Sequence, residues 1–586
     1  MAKGSSASKE HHGQGHSPHT RARGQGKHSI AKVRSSSPGK AWTVAQVDSR
    51  VAQTKPTPDA RADTIVCSHT AYKGTSANPR QDKNAEFGGW PGALLLMIWS
   101  HCMPLYMWMS LEFHGGAIFG PASLAGSELQ RYATHDLFPK LAQAVPGCTA
   151  CGLYLGFFLS QLALFFVCPG VTVRGLPVPS EGNRRLEYRC NAFSSWLVTL
   201  GVVILLHVTG IFSISIVSRL RGQLLVVAMI ASDVIALAVY CWAVFIEPRH
   251  SFGLSGNHLY DFFMGAWLNP RIGALDLKLW AEIKMSWVTL FLLVLASAVQ
   301  QYETLGYLTN GMLVIVVAQL LYANACMKGE ECVPGTWDIF HEKWGWMLIY
   351  WNLCGVPFVY TFQAEYIVRA SAATGPGGVA DLGTPATSAL LLVLVLSYYL
   401  WDISNQQKNT YRLMQRGEYH PRPWYQAFPQ LPGGVLHKEA GRDAWRRCRV
   451  LTFGAGKTAT AEGKPLTLLV DGVWRYGRKI HYGMDLIMAM IWAGSTLGAS
   501  SQEPHVLNFF YPAFFAGMIL HRCALVCLPA EACVCGHACM HVETERELHD
   551  RRDGGRKYMH LCSDNAHAVY SNTNTAPVRT LHLTMY

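Results

Sequence analysis

The chain is polar for its first 83 residues and then becomes a succession of apolar runs divided by polar stretches. Ten mostly apolar segments follow, at 90–109, 152–168, 193–217, 224–246, 286–299, 308–326, 344–362, 388–401, 484–498 and 508–528. A helix needs about 20 residues to cross the hydrocarbon core of a bilayer, so the fifth, eighth and ninth segments are short. Those three are expected to be tilted, lengthened by amphipathic flanks, or only partly inserted. The pattern predicts an all-α fold, a polytopic membrane protein with about ten transmembrane helices. A disordered basic N-terminal tail over residues 1–85 precedes it, rich in Ser, Gly, His and Lys/Arg and without an apolar run long enough for a signal peptide.

Composition agrees with a membrane body. Hydrophobic residues make up 50% of the 586 residues and charged ones only 15%, where a soluble domain carries about a quarter charged. The net charge of +12 raises the question of a nucleic-acid partner, and its distribution answers it. Residues 1–83 hold 14 Lys+Arg against 5 Asp+Glu, and residues 402–483 hold 14 against 6, so the rest of the chain is net negative. No uniformly basic surface exists, and nucleic acid is not an expected partner. With ten crossings, the N-terminal tail and the loops on its side hold 38 Lys+Arg against 5 on the other side. Because Lys and Arg accumulate in cytosolic loops, both termini and the 402–483 loop are expected to face the cytosol.

The seventeen cysteines do not form a regular framework. Cys102, Cys168, Cys241, Cys326 and Cys354 lie in apolar runs, where a thiol behaves as a small hydrophobe. Cys148 and Cys151 form a single CxxC, an incomplete ligand set for zinc, and no metal is expected. Gly454-Ala455-Gly456-Lys457-Thr458 imitates a phosphate loop, but Leu451 stands where a Walker motif needs glycine. A nucleotide would therefore bind among helices.

Polar groups inside the apolar runs are costly and usually face protein or a cavity. His207, Asp233, Gln319, Asn324 and Asn352 are such groups, and each alone reads as an interhelical hydrogen-bonding residue before it reads as a catalyst. Asp338, His341, Glu342 and Lys343 cluster with Trp337, Trp344 and Trp346 at the entry to the seventh run. Lys408 and Arg412 follow the eighth run four residues apart, so on a continuing helix both cations share a face. Spacing alone favours snorkelling to lipid headgroups; the alternative is a cradle for a phosphorylated ligand.

Gly256-Asn257-His258-Leu259-Tyr260-Asp261-Phe262-Phe263-Met264-Gly265-Ala266-Trp267-Leu268-Asn269-Pro270-Arg271 resembles the first signature of the sterol reductase family, which includes the Δ7 and Δ14 sterol reductases and the lamin B receptor. Three further stretches are more similar to the fungal-type sterol C-24(28) reductases: Asn324-Ala325-Cys326 with Lys328-Gly329-Glu330, then residues 337–357 with Trp351-Asn352-Leu353-Cys354-Gly355-Val356-Pro357, and residues 469–485. The resemblance covers about residues 86–523. It implies an endoplasmic-reticulum membrane enzyme that uses NADPH to reduce the C-24(28) double bond of a sterol side chain in ergosterol-type biosynthesis. A Δ14 or Δ7 reductase and a non-catalytic sterol-binding or scaffolding relative are the alternatives. By the resemblance the cofactor positions fall on Lys408, Arg412, Leu469, Trp474, His481 and Tyr482, which reverses the snorkelling preference for the cationic pair. Arg475, Arg478 and Lys479 are additional partners for a 2′-phosphate. Asp338, Glu342 and Tyr482 stand as proton-donor candidates with no choice among them, and a lipid-open apolar cavity between the fifth and tenth spans is expected to hold the sterol.

The resemblance implies residues 86–526 as a transmembrane reductase domain with 402–483 as its cytosolic cofactor-binding loop. Residues 527–586 depart from the family as an atypical Cys/His-rich tail. After His521-Arg522 the family continues with an Arg-Asp pair, whereas this chain reads Leu525-Val526 there. The abrupt loss has the form of a retained intron or a shifted reading frame.

Overall fold

The computed structural model describes residues 66–67, 86–178, 181–374, 380–420, 444–453, 466–477, 479–499 and 505–527, all within the compact unit Ala62–Tyr586. Nearly all of the basic tail, the Gly454–Thr458 imitation of a phosphate loop, Arg478 and the tail beyond Cys527 lie outside the described residues.

The described chain is mostly helical, and each of the ten apolar runs coincides with a helix. In chain order these are α1 Trp90–His114, α2 Cys148–Val167, α3 Ala192–Val208, α4 Arg221–Cys241, α5 Leu277–Leu305 and α6 Asn310–Lys328. Then come α7 at residues 346–359, α8 Phe362–Thr374, α9 Thr384–Arg416, α10 Ile480–Gly494 and α11 Phe510–Cys527. Only six are long and apolar enough to cross a membrane: α1, α2, α4 with its π-helical extension to Ile246, α5, α6 and α9.

The short runs have separate explanations. The fifth and eighth sit inside helices of 29 and 33 residues, lengthened by amphipathic flanks whose polar side chains turn inward. The ninth stays short, because α10 has 15 residues. The seventh is interrupted by a π turn at Trp351–Gly355. In that turn the Gly355 Cα lies so close to the Trp351 ring that a Cβ would come within 2.5 Å of it.

The all-α expectation needs a correction, since three small sheets accompany the helices. The largest pairing is an antiparallel hairpin of β2 Val171–Val178 and β3 Arg184–Cys190, with Gly182 and Asn183 at positive φ beside its turn. Alternation along Arg184–Cys190 buries Leu186, Tyr188 and Cys190 on one face, a period-two signal too short to stand out among the helices. Two-residue strands β4 Arg271–Ile272 and β5 Leu275–Asp276 pair antiparallel. A third sheet joins β1 Val66–Cys67, β6 Val450–Phe453 and β7 Leu466–Leu469.

Packing separates an outer apolar surface from a polar-dotted interior. Leu95, Leu205, Leu237 and Leu392 are each more than half exposed, which suits helices bathed in lipid rather than water. Inside, α5 is largely buried among its neighbours, with Ile283, Leu290 and Val294 fully covered. Two of the intramembrane polar groups are paired between helices. Asp233 on α4 accepts from His101 at 3.1 Å and Trp346 Nε1 at 2.7 Å, and Gln319 Nε2 donates to the Tyr360 carbonyl at 2.8 Å.

Candidate functional site

Helix α9 organises the site because its two halves have different partners. Around residues 392–396 it presents exposed Leu392, Val393, Val395 and Leu396; from Trp401 onward it buries Asp402, Ser404, Gln407, Thr410, Tyr411 and Met414 at helical spacing. Gly417 ends it in the left-handed conformation at φ 72°. Asp402 is anchored by Lys328 of α6, with Nζ 2.6 Å from its carboxylate and both side chains buried.

The segment 466–476 lies along this polar half of α9. Arg412 donates to the Thr467 carbonyl at 2.8 Å, and the Tyr411 hydroxyl donates to Thr467 Oγ1 at 2.9 Å. Further on, Val473 N donates to Gln407 Oε1 at 3.1 Å and Trp474 Nε1 to the Ser404 carbonyl at 2.9 Å. The turn between these contacts needs Gly472, whose φ is +61° and whose Cβ, if present, would lie 2.5 Å from Gln407 Oε1.

The side chains nominated as cofactor positions meet here. The Lys408 ammonium lies 6.0 Å from the Trp474 ring centroid, Trp474 lies 5.2 Å from His481, and His481 lies 4.3 Å from Tyr482. Leu469 ends β7, two residues past the Arg412 contact at Thr467. Lys479 reaches over the Tyr482 ring at 5.1 Å, whereas the Arg475 guanidinium turns to the Tyr476 hydroxyl. Among the described residues no acid stands close to Lys408 or Arg412, which leaves two neighbouring cations without a counter-charge. His481 is buried, and its Nδ1 has no hydrogen-bond partner. Two uncompensated cations, an indole face and an unmet ring nitrogen fit an anionic, planar-ringed nucleotide such as NADPH. Lys408, Arg412 and Lys479 would hold its phosphates, and Trp474, His481 and Tyr482 its ring end.

The nominated acids divide. Asp338 and Glu342 are buried around Lys278, whose ammonium donates to the carbonyls of Leu268 at 3.2 Å, Ile339 at 3.3 Å and Glu342 at 2.5 Å. Both acids thus lie beside a buried cation and away from the Lys408–Tyr482 cluster. Tyr482 remains within the cluster.

A buried carboxyl that the sequence reading passed over stands one turn further along. Asp485 follows His481 by four residues on α10, so the two share a face. It is 3% exposed and meets the Tyr322 hydroxyl and the Trp401 indole. Tyr322 is walled in by Trp401 at 5.3 Å, Trp287 at 5.0 Å and Trp492 at 5.6 Å between ring centroids. The i, i+4 spacing of His481 and Asp485 was the available signal, but pairing with Tyr322 depends on α6 and α10 meeting. Beside them, α9 and α10 form an apolar groove lined by Leu390, Leu486, Ile487, Met490 and Ile491. This groove lies between the eighth and ninth runs rather than between the fifth and tenth.

Comparison with known proteins assigns the sequence to a family. Over 450 residues the chain is 34% identical to a Delta(24(24(1)))-sterol reductase of Gibberella zeae, covering 76% of this chain and 70% of that protein. It is 34% identical over 438 residues to the Delta(24(24(1)))-sterol reductase erg4A of Aspergillus fumigatus, covering 75% and 86%. It is 32% identical over 429 residues to a Delta(14)-sterol reductase of Methylotuvimicrobium alcaliphilum, covering 73% and 87%. The model of the ergosterol biosynthesis ERG4/ERG24 family matches residues 81–525, and the chain belongs to that family.

Proposed function

We propose that this chain reduces the C-24(28) double bond of a sterol side chain with NADPH. The observation that carries the proposal is the continuity of two clusters on one helix face. His481 belongs to the group around Lys408, Arg412 and Trp474, and Asp485 one turn on belongs to the group around Tyr322 and Trp401. Identity to two fungal Delta(24(24(1)))-sterol reductases supports this bond over the Δ14 and Δ7 alternatives.

An isolated alkene is a poor hydride acceptor, so the reaction starts with a proton. Tyr322 donates it to the exposed methylene carbon, and the Asp485 carboxyl beside the phenol orients and recharges the donor. The electron-poor tertiary carbon left behind then takes the hydride that NADPH supplies when bound. The three tryptophan rings around Tyr322 exclude water from the cation. Lys408 and Arg412 bind the nucleotide phosphates, and Trp474 fixes the orientation of its ring.

The setting we infer is the endoplasmic-reticulum membrane, with ten crossings and both the N-terminus and residues 402–483 cytosolic. The α9–α10 groove gives a bilayer sterol its approach.

The test is expression in a yeast strain lacking its own C-24(28) reductase, with microsomal sterols analysed by mass spectrometry. Conversion of a 24(28)-methylene sterol that requires NADPH and is lost in Lys408→Ala/Arg412→Ala supports the proposal. Equal conversion without NADPH, or by the double variant, would sink the cofactor assignment. Sterol binding without any conversion would identify a non-catalytic relative, consistent with Val526 at the position where the family carries aspartate.

A further inference from the structure

The third sheet joins parts of the chain that are far apart in sequence, and one of its strands comes from the N-terminal tail. β1, Val66–Cys67, pairs in parallel with β6, and β6 pairs antiparallel with β7. The strand order β1-β6-β7 makes β6 the middle strand, with β1 on the edge that β7 leaves open. A two-stranded hairpin is marginal by itself in water, and a third strand is what gives such a sheet stability. An uncovered β6 would also present a row of unpaired N–H and C=O groups. The family match begins at residue 81, so this third strand comes from outside the stretch that matches the family.

The register carries the tail to the cofactor cluster. Val66 stands opposite Thr452, and Thr452 stands opposite Thr467. Thr467 is the residue that seats β7 on α9: its carbonyl accepts from Arg412 at 2.8 Å, and its Oγ1 accepts from the Tyr411 hydroxyl at 2.9 Å and from Gln415 Nε2 at 2.8 Å. One row of residues, Val66, Thr452, Thr467 and Arg412, thus runs from the tail across the sheet to a cation of the cluster. Leu469, another of the nominated positions, ends the same strand as Thr467. Chain length allows the strand to be delivered within one molecule. Residues 68–85 separate Cys67 from Glu86, where the helical body begins, a reach of up to about 60 Å. A strand delivered in this way acts at an effective concentration on the order of millimolar, which suits a pairing of only two residues. The pairing also requires the segment before α1 and the segment after α9 to lie on one side of the bilayer.

We infer that β1 is a clasp for the cofactor segment: docked on β6, the Val66–Cys67 strand stiffens the β6–β7 hairpin, holds Thr467 against Arg412 and keeps Leu469 in line for the nucleotide. The inference rests on the proposed reading of Lys408, Arg412 and Leu469 as cofactor positions. Release of β1 leaves β6 as an edge and returns the hairpin to its marginal two-stranded state, with weaker nucleotide binding. The tail is thereby a regulatory part of the enzyme, acting on cofactor affinity and not on the proton donor at Tyr322.

The experiment uses the full chain in nanodiscs. Phe453→Cys places a thiol in register with Cys67, and neighbouring strands lie about 4.8 Å apart, inside the range a disulfide spans. Oxidised glutathione is expected to link Cys67 to the new thiol, as read by mass spectrometry of the peptides, with NADPH affinity kept at the parental level or tighter. Leu451→Cys, two residues out of register, is expected to link poorly. In a second variant, Val66→Pro/Cys67→Pro removes both N–H donors of β1. Calorimetric titration should then show NADPH binding weakened roughly fivefold to thirtyfold, the range of one or two hydrogen bonds, while sterol binding stays as in the parent. No link at position 453, or an equal link at position 451, overturns the docking of β1. Parental NADPH affinity in the double proline variant overturns its role as a clasp, and so does an equal weakening of sterol binding, which would mean a general loosening of the fold. A parent that binds no NADPH while the link at position 453 still forms overturns the cofactor reading and leaves the strand pairing standing.

Discussion

The indole Nε1 of Trp474 donates to the Ser404 carbonyl at 2.9 Å, a bond between the segment after α9 and that helix seventy positions earlier. It fixes the ring that lies beside Lys408 and His481. Trp474→Phe keeps an aromatic surface but frees the ring to turn. Loss of one hydrogen bond of about 1 kcal/mol corresponds to roughly a fivefold rise in the KM for NADPH. Steady-state kinetics at saturating sterol checks this, with the sterol KM unchanged.

Gly472→Ala has a harsher expected effect on the same segment. The left-handed backbone costs an alanine about 1–2 kcal/mol, and its Cβ would press on Gln407. The segment then loses its seat on α9, and the bond from Val473 N to Gln407 Oε1 is lost with it. NADPH binding is expected to weaken at least tenfold. Adding Gln407→Ala relieves the contact but not the backbone strain, so calorimetric titration of the double variant should recover only part of the loss.

The parts legible in the sequence were those encoded by neighbours along the chain. Lys408 and Arg412 share a helix face by spacing, and the apolar runs mark helices even where a run alone is too short to span. The lengths of α5 and α9 were not legible, because their flanks are polar residues that turn inward, such as Lys284, Ser404 and Gln407. Asp485 stood in plain sight within a family-like stretch, yet its role depends on Tyr322, more than a hundred residues earlier.

Lys328 and Asp402 join α6 to α9 at 2.6 Å, with Asp402 only 1% exposed. Removing one partner leaves the other's charge buried without this ion pair. Asp402→Leu or Lys328→Met alone should each cost about 3–5 kcal/mol, and the double variant markedly less. Thermal unfolding in detergent measures the cycle; additive losses would mean that the two side chains act separately.

Glu330 follows α6 and caps the start of α3, where it accepts from Ala192 N at 2.6 Å. Burial pushes its carboxyl up to about 7, against the pull of nearby Lys284. A carboxyl raised in the folded state holds its proton there after the unfolded chain has lost it. Its contribution to stability is therefore complete below about pH 4.5 and declines as pH rises to about 7, by about 1.4 kcal/mol per unit. Glu330→Gln cannot ionise and should flatten that decline in unfolding midpoints taken from pH 5 to 8. An unchanged slope would place the titration elsewhere.

The proton donor offers the sharpest kinetic separation. Tyr322→Phe removes the hydroxyl inside a ring of tryptophans and leaves its packing against Trp401, Trp287 and Trp492 intact. Loss of a positioned acid typically costs 10²–10⁴-fold, so kcat should fall by about that factor while NADPH affinity stays as in the parent. Asp485→Asn keeps the shape and removes the carboxyl proton that recharges the phenol, and it should give an intermediate loss with the same unchanged cofactor binding. If Tyr322→Phe turned over at the parental rate and Tyr482→Phe did not, the acid would lie in the cofactor cluster, and the proton would arrive from the nucleotide side of the double bond.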